Sequence, residues 1–230
     1  MFFVIDKIAQ ADDQAGLPLV ISRTLTEEFN EEKPTEALNS RPWSRYNPQR
    51  DGVPVPAQFQ LPPQLHMVCK GLRRFRADLF SDSLRQWVVS ARLRDFMQRH
   101  GWLAGHYEES NLTIVSTGNK PLTDQPYYLL RLFRDDNSLV NVDQSPHILS
   151  PVKPLTKHTP PNTYYQDLVF RPEASVPPLF YLQEPAYWQV LICTEETKTL
   201  LEQEKFMGLT FYSLEEHAQR SIERERKLAR

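Results

Sequence analysis

Tyr187-Trp188-Gln189-Val190-Leu191-Ile192-Cys193 and Gly208-Leu209-Thr210-Phe211-Tyr212 flank a polar stretch, Thr194 to Phe206, and this run decides the fold class. Both flanks have strand length and are rich in aromatic and β-branched residues. The stretch between them opens with Thr194, whose hydroxyl can cap a helix, and its first turn holds Glu195 and Glu196, the sign favoured by the helix dipole. Gly208 punctuates the return to a strand. Ser213, followed three residues later by Glu216, is a capping box that opens a last helix ending in Glu223-Arg224-Glu225-Arg226-Lys227. The order is strand, helix, strand, helix, and none of these segments carries a group arranged for catalysis.

Ser83 to His100 is predicted as a helix capped by Asp82 or Ser81, with Gly101 as its left-handed stop. Its apolar residues make two overlapping stripes, Leu84, Trp87, Val88 and Ala91, then Val89, Leu93, Phe96 and Met97, so it is expected at the centre of the fold. Strands are predicted at Phe2–Ile8, Leu17–Ile21, Leu112–Ser116, Tyr127–Phe133, Leu139–Val142, Leu168–Phe170 and Leu179–Leu182. The polar run Arg134-Asp135-Asp136-Asn137-Ser138 reads as a hairpin turn. Strands outnumber helices without regular βαβ alternation. The class is therefore α+β, with a mixed or mainly antiparallel sheet, a central amphipathic helix and two C-terminal helices. Prolines cluster at Pro34, Pro42, Pro48, Pro54, Pro56, Pro62 and Pro63, and again at Pro146, Pro151, Pro154, Pro160 and Pro161, marking stiffened loops. Residues 1–70 are expected to supply N-terminal strands and a Pro-rich arm packed on an α+β domain of residues 71–230, with one single domain overall as the alternative.

With 230 residues, 40% hydrophobic and 11% aromatic, the chain can bury a real core. A net charge of −2 gives no global reason to bind nucleic acid or an anionic membrane. No apolar run reaches the ~20 residues of a membrane span. In Met1-Phe2-Phe3-Val4-Ile5-Asp6-Lys7 the charges follow the apolar residues, which is a strand pattern and not a leader, so a cytoplasmic protein is expected. Cys69 and Cys193 make no disulfide framework in a chain of this length.

The search for chemistry finds no glycine-rich nucleotide cradle, no His-Glu-x-x-His and no Gly-x-Ser-x-Gly among only seven glycines. His66 with Cys69 resembles a base and thiol pair, followed by Lys70, Arg73, Arg74 and Arg76. His100 and His106 are too few ligands for structural zinc. Ser145-Pro146-His147 and Asp143 look like fragments of a triad, and their closeness in one extended segment is read as evidence against that geometry. Asp135 and Asp136 read as turn residues. Residues 71 to 100 carry seven arginines against three aspartates, and residues 101 to 200 carry seven basic against eleven acidic residues. No metal and no cofactor is expected.

The order of segments resembles that of the immunity proteins of bacterial polymorphic-toxin systems. The matching features are a helix with Val89-Ser90-Ala91-Arg92-Leu93 at its centre and an aliphatic, Asp and Ser signature at Val142-Asp143-Gln144-Ser145. Leu179-Phe180-Tyr181-Leu182, Ile192 to Leu201 and Gly208-Leu209-Thr210-Phe211 complete the pattern. The resemblance covers roughly residues 75–218 and leaves the Pro-rich tract unmatched. It implies a cytoplasmic α+β protein that binds and blocks a cognate toxin, and it implies no catalytic residue.

A binding role needs a preorganised surface with aromatic and charged anchors. Trp43, Tyr46, Tyr164 and Tyr165 lie in polar, Pro-stiffened segments and are the candidate aromatic anchors, with packing onto the chain's own domain as the alternative. Glu108 and Glu109 are candidates to meet a basic partner. The expected partner is a cognate toxin, with no membrane and no nucleic acid. Two other classes stay open, a cysteine-dependent enzyme using Cys69 and a nucleic-acid module using the Arg-rich 73–99 segment.

Overall fold

Gln86-Trp87-Val88-Val89-Ser90 is a β-strand in which all five residues are buried, and it organises one half of the protein. It is seen in a computed structural model that describes residues 1–6, 22–36, 42–83, 85–152 and 161–228. In chain order the strands are β1 (Phe2–Asp6), β2 (Ser22–Thr26), β3 (Gln64–Lys70), β4 (Leu79–Ser83), β5 (Gln86–Ser90), β6 (Tyr107–Ser116), β7 (Tyr127–Leu132), β8 (His147–Leu149), β9 (Thr163–Tyr165), β10 (Leu179–Phe180), β11 (Leu191–Thr194) and β12 (Thr210–Ser213). The helices are a single turn α1 (Pro48–Asp51), then α2 (Ala91–Arg99), α3 (Glu195–Gln203) and α4 (Leu214–Leu228). The fold is α+β.

Contacts divide the chain into two units. One comprises residues 7–133 with 205–209, the other residues 1–6, 134–204 and 210–230.

The 7–133 unit is built on a six-stranded mixed sheet in the order β2-β3-β6-β7-β5-β4. Only the β3–β6 pair is parallel, aligning Leu65 with Leu112 and Met67 with Ile114. β5 sits between β4 and β7, pairing Trp87 with Leu130 and Val89 with Tyr128. A strand covered on both faces shows no polar alternation, which is why Trp87, Val88 and Val89 imitate a helical stripe. Residues 85–90 are therefore a turn and a strand, and the predicted helix is shortened to α2. Its cap is Ser90, whose Oγ accepts from the Leu93 amide at 3.2 Å. α2 buries Leu93, Phe96 and Met97 and packs on β5 and β7. Gly101 ends it at φ +70°, as expected. Leu65, Met67, Cys69, Phe75, Val88, Ile114 and Leu129 join Trp43 and Tyr127 in one core cluster. Truncating a side chain such as Met67, fully buried, costs about 2–5 kcal/mol in cores of this kind.

The second unit has a four-stranded antiparallel sheet, β10-β11-β1-β12, and a two-stranded β8–β9 sheet. β1 lies between β11 and β12, so Val4 pairs with both Ile192 and Tyr212. The Thr194 cap forms, accepting from the Thr197 amide at 3.2 Å. So does the capping box. The Glu216 amide donates to Ser213 Oγ at 3.1 Å, and the Ser213 amide donates to Glu216 Oε2 at 2.9 Å. Leu214, Ala218 and Ile222 recur every four residues on α4 and form its buried face.

Several predicted strands are corrected. Leu139–Val142 spans the end of one 3₁₀ turn (Asn137–Leu139) and the start of another (Val142–Gln144), with Val140 between them making a single bridge to Phe170. The Arg134–Ser138 run is therefore not a hairpin turn. Leu168–Phe170 contributes that bridge alone, and β9 lies before it, at residues 163–165. Tyr187–Val190 forms a turn, closed by the Val190 amide on the Tyr187 carbonyl at 2.8 Å, so β11 starts at Leu191. Leu17–Ile21 lies outside the described residues, as do the last two positions of the predicted first strand.

Candidate functional site

Among the described residues of the 7–133 unit, Arg131, on β7, is the largest fully buried side chain. Its guanidinium donates to the carbonyls of Trp43 at 2.7 Å and Phe59 at 3.1 Å, and to Glu108 Oε1. It also lies over the Tyr46 ring, 4.8 Å from the centroid. Glu108, on β6, accepts from the Leu61 amide at 3.3 Å with its other oxygen. One ion pair thus fastens both ends of the Pro-rich segment 42–61 to the sheet. Burial pushes the Glu108 carboxyl above its ordinary range, with Arg131 opposing that rise. Burial equally pulls the Arg131 guanidinium down, against the pull of Glu108; a guanidinium stays charged all the same.

The predicted anchors take their places around this network. Trp43 and Tyr46 are buried. Trp43 Nε1 donates to Glu27 at 2.8 Å, and Tyr46 Oη donates to the Gly52 carbonyl at 2.7 Å, closing the short turn after α1. Glu109 forms a two-pronged ion pair with Arg94 of α2, at 2.6 and 3.0 Å, tying helix to sheet. Arg94 is held well above its ordinary value chiefly by that bond.

Tyr164 and Tyr165 are buried in the other unit, on β9. Tyr164 Oη donates to Glu225 Oε1 at 2.8 Å, alongside bonds to that carboxylate from Asn162 and Ser150. Burial pushes the Glu225 carboxyl up, but those three bonds hold it below its usual value. Tyr165 Oη donates to Glu184 at 3.1 Å, and its amide donates to Tyr187 Oη at 2.8 Å. These pairs bind β9 to α4 and to the turn before β11. The aromatic candidates therefore pack on their own units and position loops.

The residues considered for chemistry are separated. His66 and Cys69 lie three apart on β3, so they project from opposite sheet faces, and Cys69 is fully buried. Cys193 is buried too, and burial pushes its thiol up to about 12. These are inert settings, since a reactive thiol needs exposure and a positive field. His100 packs at a tilt against the rings of Phe96 and Trp102. Ser145 is buried, its Oγ donating to the Asn141 carbonyl at 2.7 Å and accepting from the Val169 amide at 3.0 Å, so it brackets a loop. Asp136 is paired with Arg134 at 2.9 Å. Among the described residues no group of three or more His, Cys, Asp or Glu is placed to hold a metal ion. None of the described helices is long and apolar enough to cross a membrane.

Exposed charge gathers in two grooves of the 7–133 unit. One, about 400 Å³, is rimmed by Arg73, Arg74 and Arg76 over a floor that includes Phe75, Leu122 and Met207. The other, about 560 Å³, carries Glu28, Glu31, Glu32 and Glu36 around an Asx turn in which Asn30 Oδ1 accepts from two amides. Sequence reasoning singled out the first as a basic stretch and missed the second, although Glu27-Glu28-Phe29-Asn30-Glu31-Glu32 is a legible acidic run. It also missed Arg131, since a single arginine in a strand gives no sign of whether it will be buried.

The family described as Immunity protein 43 matches residues 9–221 of the chain. The chain belongs to that family. The match takes in the Pro-rich tract as well as the region from residue 75 onward, so the clamped segment 42–61 is part of the family's pattern. Comparison with curated proteins gives no match. Membership makes this an immunity protein.

Proposed function

We propose that this immunity protein neutralises a cognate bacterial toxin in the cytoplasm by direct protein–protein contact, with no chemistry of its own. The observation that carries the reading is the family match across residues 9–221. The way the loops are fastened supports it. A loop held in one conformation before docking loses less entropy on binding, and the Arg131–Glu108 clamp and the tyrosine–carboxylate pairs supply such holding. On this reading Trp43, Tyr46, Tyr164 and Tyr165 act on the toxin through the loops they position. Glu108 and Glu109 act through Arg131 and Arg94. The contact itself falls on exposed side chains of those loops and of the charged grooves.

The test is rescue. The toxin encoded beside this chain's gene is induced in a bacterial host with and without the chain, and lysates are probed for co-purification. Restored growth together with a stable complex is expected. A toxin that stays lethal in the presence of folded immunity protein contradicts the reading.

A further inference from the structure

We infer that the groove rimmed by Arg73, Arg74 and Arg76 is the docking site for an acidic polypeptide segment of the toxin, an inference that rests on the immunity reading above.

Three observations meet here. The first is unused charge. Arg73, Arg74 and Arg76 are exposed, and none makes an ion pair or side-chain hydrogen bond with another described residue. Other arginines of the same unit are engaged: Arg131 with Glu108, Arg94 with Glu109, Arg50 with Asp51. Three guanidinium forks side by side offer planar, two-pronged donors suited to carboxylates. Asp124 is the one acid in the described lining, so the groove carries a net charge of about +2 in a chain of net −2.

The second is rigidity. The Phe75 amide donates to the Leu122 carbonyl at 2.8 Å, and the Leu122 amide donates to Ile114 of β6 at 3.0 Å. On the far wall, the Asp78 amide donates to the Met207 carbonyl at 2.7 Å, while the Met207 amide donates to Asp78 Oδ2 at 2.8 Å. Buried Asp78 also accepts from Ser90 Oγ, at the junction of β5 and α2. Both walls are thus tied to the sheet, and the Phe75 ring packs edge-on against Tyr127 at 5.2 Å. A cleft held this way presents its arginines without a folding step on binding.

The third is the mixture of surfaces. Apolar Phe75, Leu122 and Met207 lie beneath the cationic rim. A nucleic-acid strand asks for a long basic stripe that follows successive phosphates. A short cleft with an apolar floor instead matches an acidic peptide that alternates carboxylates with apolar side chains, the mixed anatomy of protein interfaces. The occupant is therefore a segment of the partner protein.

The experiment titrates purified cognate toxin with wild-type chain and with the triple variant R73E/R74E/R76E, at low and high salt. Circular dichroism confirms the fold, since the three side chains are exposed. The triple variant is expected to bind at least about tenfold more weakly at low salt, and to lose most of the salt dependence that the wild type shows. In a second arm, Arg74→Lys is treated with carbodiimide in the complex. The amine at position 74 is expected to form an amide with a toxin aspartate or glutamate, mapped by mass spectrometry. Unchanged affinity of the triple variant, with no cross-link at position 74, overturns the inference and leaves immunity standing. Failure of the wild-type chain to bind or neutralise the toxin removes both. Retention of single-stranded RNA by wild type but not by the triple variant, with toxin binding intact in both, assigns the groove to nucleic acid and overturns the inference as well.

Discussion

Replacing Arg131 by methionine keeps most of the side-chain volume and removes the charge that holds the Pro-rich segment. Three bonds go with it, those to Glu108, to the Trp43 carbonyl and to the Phe59 carbonyl. Removing one partner of a buried ion pair costs about 3–5 kcal/mol, mostly because the remaining charge is left uncompensated. Glu108 is 18% exposed by side chain, so water recovers part of that loss. Each abandoned carbonyl adds about 1 kcal/mol or more. The expected total is about 4 kcal/mol, read as a shift of the urea midpoint at constant slope. Limited proteolysis supplies the location, with new cleavage expected first within residues 42–61. Arg131→Met combined with Glu108→Leu removes both charges and should recover at least about 1 kcal/mol of the loss, which measures the pair's coupling. A loss below about 1 kcal/mol for Arg131→Met alone, with segment 42–61 still protected, would refute the idea that this pair clamps the arm.

Three further expectations follow from the same geometry. Ser213→Ala and Thr194→Ala each remove a formed helix cap, so each should lower stability by about 1 kcal/mol in a urea titration. Cys69 and Cys193 are buried, and native protein at pH 8 should resist alkylation at both while urea exposes both; rapid labelling of native Cys69 would reopen the enzyme reading. His217, on α4, is held neutral by burial down to about 4, below its ordinary 6.5. Between those values the unfolded chain binds the extra proton, so stability is full above about pH 6.5 and falls as pH drops toward 4, by up to about 3 kcal/mol. His217 Nε2 is buried without a hydrogen-bond partner among the described residues, so His217→Phe should flatten this pH dependence, as thermal melts from pH 7 to 4 would show.

Local backbone chemistry was legible in the sequence. The Thr194 cap, the Ser213–Glu216 box and the Gly101 stop each require a residue type at a fixed place, and the structure contains all three. β7 was legible as well, since its aromatic and aliphatic run is bounded by Pro126 and by the polar stretch from Arg134. What failed was local reading of long-range context. β5 is buried on both faces, which erased the alternation that marks a strand and left a pattern that passes for helix. β3 went unassigned because its interest seemed chemical, His66 near Cys69, although its burial is that of a central strand. Leu139–Val142 had strand composition, but Asn137 and Asn141 sit at turns whose carbonyls accept from the amides of Val140 and Ser145, and the chain curls.

Nor does sequence distinguish an aromatic in a polar loop that faces a partner from one that pins the loop. Tyr46 and Tyr164 lie in segments of similar polarity to exposed binding loops. Both are buried because a carbonyl or carboxylate of their own unit waits for each hydroxyl. The exposed arginines at 73, 74 and 76 were visible as a basic stretch, while their shared groove required Leu122 and Met207 to close it from elsewhere in the chain.

On the proposed function, this chain blocks a toxin by occupying it. Titrating a fixed amount of purified cognate toxin with increasing chain, while following toxin activity, tests that directly. Inhibition by occupancy gives a linear fall that ends at a fixed molar ratio, with the toxin recovered chemically intact from the complex. Full loss of activity at a small fraction of that ratio, with toxin covalently altered, would contradict it.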